Sequence, residues 1–198
     1  MPVDIVGWDI GGAHLKAVAL DRHGAIAGIQ QRPCPLWLGL DRLEAAVRDI
    51  GRDWPLTGVR THAITMTGEL ADSFPDRSSG VRALLDCTLG LFESPPQVFA
   101  GSAALLDASA VRDHELPLIA SANWMASALW LAQRCREGIL IDVGSTTTDV
   151  IPLSNGAVHT RGYTDHERLR YDELVYVGIV RTPLMAIASK APFDGGWV

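Results

Sequence analysis

Apolar and polar positions alternate through residues 5–10, IVGWDI, and the run ends at Asp9 and a Gly11-Gly12 pair before a second apolar run, HLKAVAL, begins. Alternation of period two broken by small turn residues predicts a β-hairpin. A further turn at Gly24 leads into AIAGIQQR, a third strand. The period then changes. In residues 40–51, Leu40, Leu43, Ala46, Val47 and Ile50 fall on one face of a helix with charges opposite, and Gly51 stands at its end. Residues 61–67 read as a strand ending at Gly68-Glu69, 80–92 as a second helix and 97–100 as a short strand. Three strands, helix, strand, helix, strand makes a mixed α/β sheet.

The remainder starts the same pattern again. ILIDVGSTTTDVIPL, residues 139–153, repeats the pattern of residues 5–20: with Asp9 set on Asp142, Gly11 falls on Gly144, Leu20 on Leu153 and Lys16 on Asp149. A turn at Gly156 and a third strand, AVHTRGY, complete the second copy. Residues 116–120 read as a strand and 123–136 as an Ala-rich helix joining the copies; 165–175 read as helical and 176–180 as a strand. The expected organisation is a first domain at 1–122, a connecting helix at 123–136 and a second domain at 137–198. The second lacks the later helices and strands of the first, as a fragment or a reduced half would.

Composition narrows the partners. The 198 residues carry 17 basic and 23 acidic side chains, a net charge of −6, and no basic run supplies the counterion release on which nucleic-acid binding depends. The chain has 47% hydrophobic residues, enough to close a core without staples. Cys34, Cys87 and Cys135 are widely spaced and form no metal-ligand pair. They read as reduced thiols, and with no basic leader at the N-terminus the expected location is the cytoplasm. Residues 116–133 are uncharged, but Pro117, Ser121, Asn123, Ser127 and Gln133 argue for a buried helix rather than a membrane span. The six histidines show no zinc spacing.

Within this frame the hairpins carry chemistry. Asp9, at the end of a buried strand, suits a hydrated Mg2+; Gly11 and Gly12 let backbone N–H groups approach an anion; and Lys16 can reach its phosphate as a point charge. Only Lys16 and Lys190 are lysines among the 17 cations, so a compact ammonium in a glycine-rich turn stands out. The second copy offers Asp142, Gly144 and the hydroxyls of Ser145, Thr146 and Thr147, a set suited to a di- or triphosphate, although threonines are also good strand formers. Two such turns facing one another would clamp a phosphorylated small molecule and its metal in an interdomain cleft. Because Lys16 aligns with Asp149, one hairpin is expected to hold the anion while the other manages metal or a proton. Glu69, at the end of a strand, is a candidate general base or a plain loop acid. Arg181 is a candidate anion clamp or a surface arginine.

WDIGGAHLKAV, TMTGELADSF, SANW, DVGSTTTDVIPL, TDHERL and ELVYVGIVRTPL together resemble the hydantoinase A/oxoprolinase-related family linked to tetrahydromethanopterin-dependent one-carbon transfer, over nearly the whole chain. The paired Asp-x-Gly hairpins resemble the phosphate loops of the wider superfamily of actin, sugar kinases and heat-shock chaperones. The resemblance implies an α/β fold of duplicated RNase H-like (actin-like ATPase/acetate-sugar kinase) domains, the second one truncated. It implies Asp9 and Asp142 as metal ligands, Glu69, Asp9 and Asp142 as catalytic residues, and Asn123, Asp149 and Arg181 as substrate contacts. The activity implied is a transferase of methanofuran-type cofactor biosynthesis, condensing an aminomethylfuran diphosphate with γ-glutamyltyramine and releasing diphosphate with Mg2+. Two alternatives stand beside it: an ATP-dependent kinase or oxoprolinase-type hydrolase, and a non-catalytic nucleotide-binding module or inactive fragment. An exposed apolar face on a shortened second domain would favour a homo-oligomer.

Overall fold

A computed structural model describes residues 3–103, 105–180 and 182, with the short strands Pro192–Phe193 and Gly196–Trp197. The chain divides into two compact units, Met1–Ala126 and Ser127–Val198.

In the first unit, the predicted hairpin is β1 (Ile5–Ile10) antiparallel to β2 (His14–Leu20), and β3 (Ile26–Pro33) lies antiparallel to β2. The amphipathic stretch forms α1 (Asp41–Asp53), whose Leu43, Ala46, Val47 and Ile50 are buried. The chain then crosses over to β4 (Thr61–Met66), parallel to β1, continues through α2 (Arg77–Leu89) to β5 (Gln97–Phe99), parallel to β4, and ends the sheet with β6 (Leu105–Asp107), antiparallel to β5. The order is β3-β2-β1-β4-β5-β6. Its first five strands have the RNase H-like arrangement that the resemblance implies. Val6, Trp8 and Ile10 of β1 and Ile64 and Met66 of β4 lie in the core together with Leu43, Val47, Leu84 and Leu85 from the helices.

Local chemistry moves several boundaries. Helix α2 starts at Arg77 rather than 80 because the Asp76 carboxylate accepts from Ser79 N at 2.8 Å and caps the first turn. Residues 116–120, expected to form a strand, instead form a short helix, α3 (Leu116–Ile119): Pro117 sits in its first turn, where a missing N–H costs nothing. Helix α4 (Asn123–Ala132) is shorter than expected and includes the boundary between the units. Beyond it the N–H groups of Arg134 and Cys135 both turn back to Leu131 O at 2.8 Å. Among the described residues no helix is long and apolar enough to cross a membrane.

In the second unit, β7 (Gly138–Val143) and β8 (Thr148–Ser154) form the repeated hairpin. The expected third strand is cut short at Val158, and a later segment joins the sheet. β9 (Ala157–Val158) pairs with the end of β8, and β10 (Leu174–Val175) pairs with its beginning, giving β10-β8-β7 with β9 attached to β8. Between them lies α5 (Asp165–Arg170), opened by a Thr164–Glu167 capping box. The helix expected over 165–175 therefore stops at Arg170, and Asp172 turns the chain with φ 57°. Residues 176–180 are not a strand; their backbone serves the hairpin turn described below. A last antiparallel pair joins β11 (Pro192–Phe193) and β12 (Gly196–Trp197).

All three cysteines are free thiols. Burial pushes both Cys34 and Cys87 up to about 11, while Cys135 Sγ donates to Glu137 O at 3.1 Å.

Candidate functional site

The two hairpin turns close in the same way. Gly11 N donates to His14 O at 3.0 Å, and Gly144 N donates to Thr147 O at 2.8 Å. A Cβ on Gly11 would lie 2.9 Å from His14 O, so a side chain there would force the turn open. The carbonyls of each turn are taken by a later segment. Cys34 N and Leu36 N donate to Ala13 O and Gly12 O at 2.8 and 3.0 Å; Ile179 N and Val180 N donate to Gly144 O and Ser145 O at 3.0 Å. Gly178 makes this second approach feasible, since a Cβ there would lie 2.4 Å from Thr146 N. Sequence reading missed Gly178, although a glycine in an apolar run is a signal of close backbone approach.

Strand register places Lys16 opposite Asp9 and Asp149 opposite Asp142, the equivalence that the repeat predicts. The side chains then diverge. Lys16 Nζ donates to Asp9 Oδ2 at 3.0 Å and stays largely exposed, while Asp9 Oδ1 is buried without a hydrogen-bond partner. Asp149 instead accepts from Arg168 Nη1 at 2.6 Å, and Arg168 is 1% exposed. Burial pushes the Asp149 carboxyl up, and the Arg168 guanidinium pulls part of the way back. Arg168 also donates to Glu173 O at 2.9 Å, and the Glu173 carboxylate accepts from Arg161 N and Gly162 N at 2.6 and 3.0 Å. Asp142 and Ser145 are exposed, and Thr146 and Thr147 are half-buried. Arg181 lies outside the described residues.

Glu69 sits in a tight turn, Gly68–Leu70, immediately after β4, and is 2% exposed. Glycine packing fixes this turn: a Cβ on Gly80 of α2 would lie 2.8 Å from Glu69 O, and one on Gly68 would lie 2.5 Å from Leu36 Cδ1. Glu69 Oε1 accepts from Ser121 Oγ at 2.7 Å, Arg77 Nη2 donates to Ser121 Oγ at 3.2 Å, and Glu69 Oε2 has no hydrogen-bond partner. Burial pushes the Glu69 carboxyl up, opposed by the Ser121 hydrogen bond and the charge of Arg77. Asn123, half-buried, opens α4 two residues after Ser121. Nothing local in the sequence marked Ser121, which meets Glu69 from 52 positions away.

An orphaned, buried carboxylate oxygen on Asp9 suits Mg2+, which binds through one or two carboxylates and keeps several waters. Among the described residues no group of three His, Cys, Asp or Glu side chains forms a ready-made metal cluster.

Comparison with known proteins follows the same lines. A model of the hydantoinase/oxoprolinase family matches residues 60–193. The chain is 35% identical over 196 residues to the (4-{4-[2-(γ-L-glutamylamino)ethyl]phenoxymethyl}furan-2-yl)methanamine synthase of Methanocaldococcus jannaschii, covering 98% of this chain and 57% of that protein. It is 51% identical over 55 residues to the synthase of the same name from Methanococcus vannielii, covering 28% of this chain and 24% of that one. Similar solved structures include an exopolyphosphatase from Cytophaga hutchinsonii, 11% identical with a TM-score of 0.49 over 85% of this chain and 52% of that one. Another is the ethanolamine utilization protein EutJ from Carboxydothermus hydrogenoformans, 16% identical with a TM-score of 0.45 over 78% and 49%. With its family model matched over most of the chain, this protein belongs to the hydantoinase/oxoprolinase family.

Proposed function

We propose that the chain acts in the synthesis of a methanofuran-type one-carbon carrier, as a cytoplasmic transferase joining an aminomethylfuran diphosphate to the phenol of γ-glutamyltyramine. The observation that carries this reading is the 35% identity, sustained over 98% of the chain, to a synthase whose name describes the resulting aryl ether. In the reaction the phenolic oxygen forms a bond to the furan methylene, the bond from that methylene to the diphosphate oxygen breaks, and diphosphate leaves. The phenolic proton passes to Glu69 Oε2. A carboxylate whose charge is disfavoured by burial is a stronger base than one in water, which suits it to this step.

Lys16 and the N–H groups of Gly12 and Ala13, which the closing of the first turn does not use, are the chain's means of holding the diphosphate. The Asp9–Lys16 pair is exposed and therefore weak, so Lys16 can exchange its carboxylate for a phosphate at little cost. Asp9 would hold Mg2+ in the first unit, with Asp142 the corresponding candidate in the second, and the ion when bound neutralises charge building on the leaving diphosphate. Asn123 and Arg181 are the proposed contacts to the rest of the substrate.

The family match over residues 60–193 favours one second reading, an ATP-dependent hydrolase or kinase built on the same hairpins. Thermal melts with Mg2+ and either inorganic diphosphate or ATP separate the two, because a ligand that binds only the folded state raises the midpoint. A diphosphate shift that disappears in Asp142→Asn, followed by the aryl ether in a mass-spectrometric product assay, is the expected result. An ATP-selective shift with phosphate release would replace the transferase by the second reading, and no shift with either ligand would remove both.

A further inference from the structure

Glu69 has two oxygens in different situations: Oε1 is engaged by Ser121 and Oε2 is buried without a hydrogen-bond partner. The direction of the hydrogen bonds behind it is fixed by chemistry. A guanidinium has only donors, so Arg77 must donate the hydrogen bond to Ser121 Oγ. The hydroxyl's own proton is then directed to Glu69. The order Arg77 to Ser121 to Glu69 runs one way, and each donor favours a charged carboxylate at its end.

Ser121 holds this place in an uncommon backbone conformation. Its φ is 51°, in the left-handed region that L side chains rarely adopt. Non-glycine residues persist there where their surroundings over-determine them, and such positions gather at functional sites. A glycine would suit the backbone better, but it would remove the hydroxyl. Glu69 is pinned from its other side by Gly80, whose Cα approaches the Glu69 backbone too closely for any side chain.

We propose that Ser121 is a positioning residue for Glu69: relaying a proton donor from Arg77, it occupies Oε1, keeps the carboxyl ionisable in its buried turn and leaves Oε2 as the atom that takes the substrate proton. This deepens the transferase reading and rests on it for the identity of that proton. The chain Arg77–Ser121–Glu69 belongs wholly to the first unit, so it can be tested on the protein without turnover.

The test compares wild type with Ser121→Gly and Ser121→Ala, labelled with carboxyl-13C glutamate and assigned against Glu69→Gln. Glycine relaxes the strained φ and alanine retains it, so a change shared by both variants comes from the lost hydroxyl and not from the backbone. The Glu69 resonance is expected to titrate at higher pH in both. In the product assay, kcat/KM near neutrality should fall roughly tenfold to hundredfold, the range expected for one hydrogen bond to a charged group, and recover as pH rises. An unmoved Glu69 titration in both variants would overturn the assignment of Ser121. A titration that moves while the acid limb of the rate profile stays in place would uphold Ser121 and instead remove Glu69 as the base, overturning that part of the transferase reading.

Discussion

Two copies of one hairpin sit in this chain, and their first strands meet opposite fates. Position by position, Val6, Trp8 and Ile10 of β1 correspond to Ile139, Ile141 and Val143 of β7. The first three are 0, 3 and 1% exposed; the second three are 64, 61 and 46% exposed. The difference lies in the neighbours. β1 is flanked by β2 and by the parallel β4, with helices beneath, whereas β7 is the edge of its sheet, paired only with β8 among the described residues. An apolar alternating strand therefore specifies a hairpin but not its burial, which is set by elements encoded elsewhere in the chain. Charge follows an inverse course. The exposed Asp9–Lys16 pair of the buried hairpin is replaced in the exposed hairpin by Asp149, which is held by the buried Arg168.

The largest break in this comparison comes from Arg168→Met. It strands the Asp149 carboxylate without its cationic donor and leaves the Glu173 carbonyl to Val150 N alone, and loss of one partner of a buried pair costs about 3–5 kcal/mol. The second unit should lose its cooperative urea transition, while Lys16→Met at the corresponding pair stays within about 1 kcal/mol of wild type. A first-unit transition that shifts as much as the second would contradict the assignment of strong and weak pairs.

Next in size is the strand itself. Ile10→Ala should destabilise the first unit by roughly 2–5 kcal/mol through lost burial and the cavity left behind. Val143→Ala, at the equivalent position, should fall within about 0.5 kcal/mol of wild type. Equal effects in denaturant titrations would mean that β7 is covered in solution.

A smaller difference appears with pH. Trp8 Nε1 donates to His62 Nδ1 at 3.1 Å, Phe92 stacks on the imidazole with ring centroids 3.9 Å apart, and burial pushes His62 down to about 4. The folded state thus binds this proton less tightly than the unfolded chain, where the value is about 6.5. The stabilisation is complete above that value and is lost as pH falls toward 4, on the order of 2 kcal/mol between pH 7 and 4.5. His62→Gln retains an acceptor for Trp8 and lacks the titration, so its stability should fall less over that interval. Parallel pH curves for the two proteins would assign the acid sensitivity to other groups.

Much of the first unit was legible because its signals are local: alternation for β1 and β2, a helical apolar face for α1, and a small-residue turn between strands. The repeat made the second hairpin readable and even gave the register that sets Lys16 against Asp149. What escaped depends on distant partners. The strand expected after Gly156 stops at Val158 because Glu173, from beyond α5, draws in the N–H groups of Arg161 and Gly162, and the Thr164 capping box starts a helix directly after it. Residues 176–180 have strand composition, but the N–H groups of Ile179 and Val180 go to the hairpin turn and that of Gly178 goes to Thr182 Oγ1. At the candidate site, Glu69 could be picked out at a strand end, while its dependence on Ser121, Arg77 and Gly80 exists only once the sheet and α2 are assembled.

The thiols offer a practical consequence. With Cys34 and Cys87 pushed up to about 11 by burial, only about one in ten thousand of each is thiolate at neutral pH. A maleimide fluorophore should therefore react first with Cys135, three residues before β7. The sequence thus carries its own labelling handle beside the second hairpin, and a probe placed there reports on the surroundings of that turn separately from events at the first.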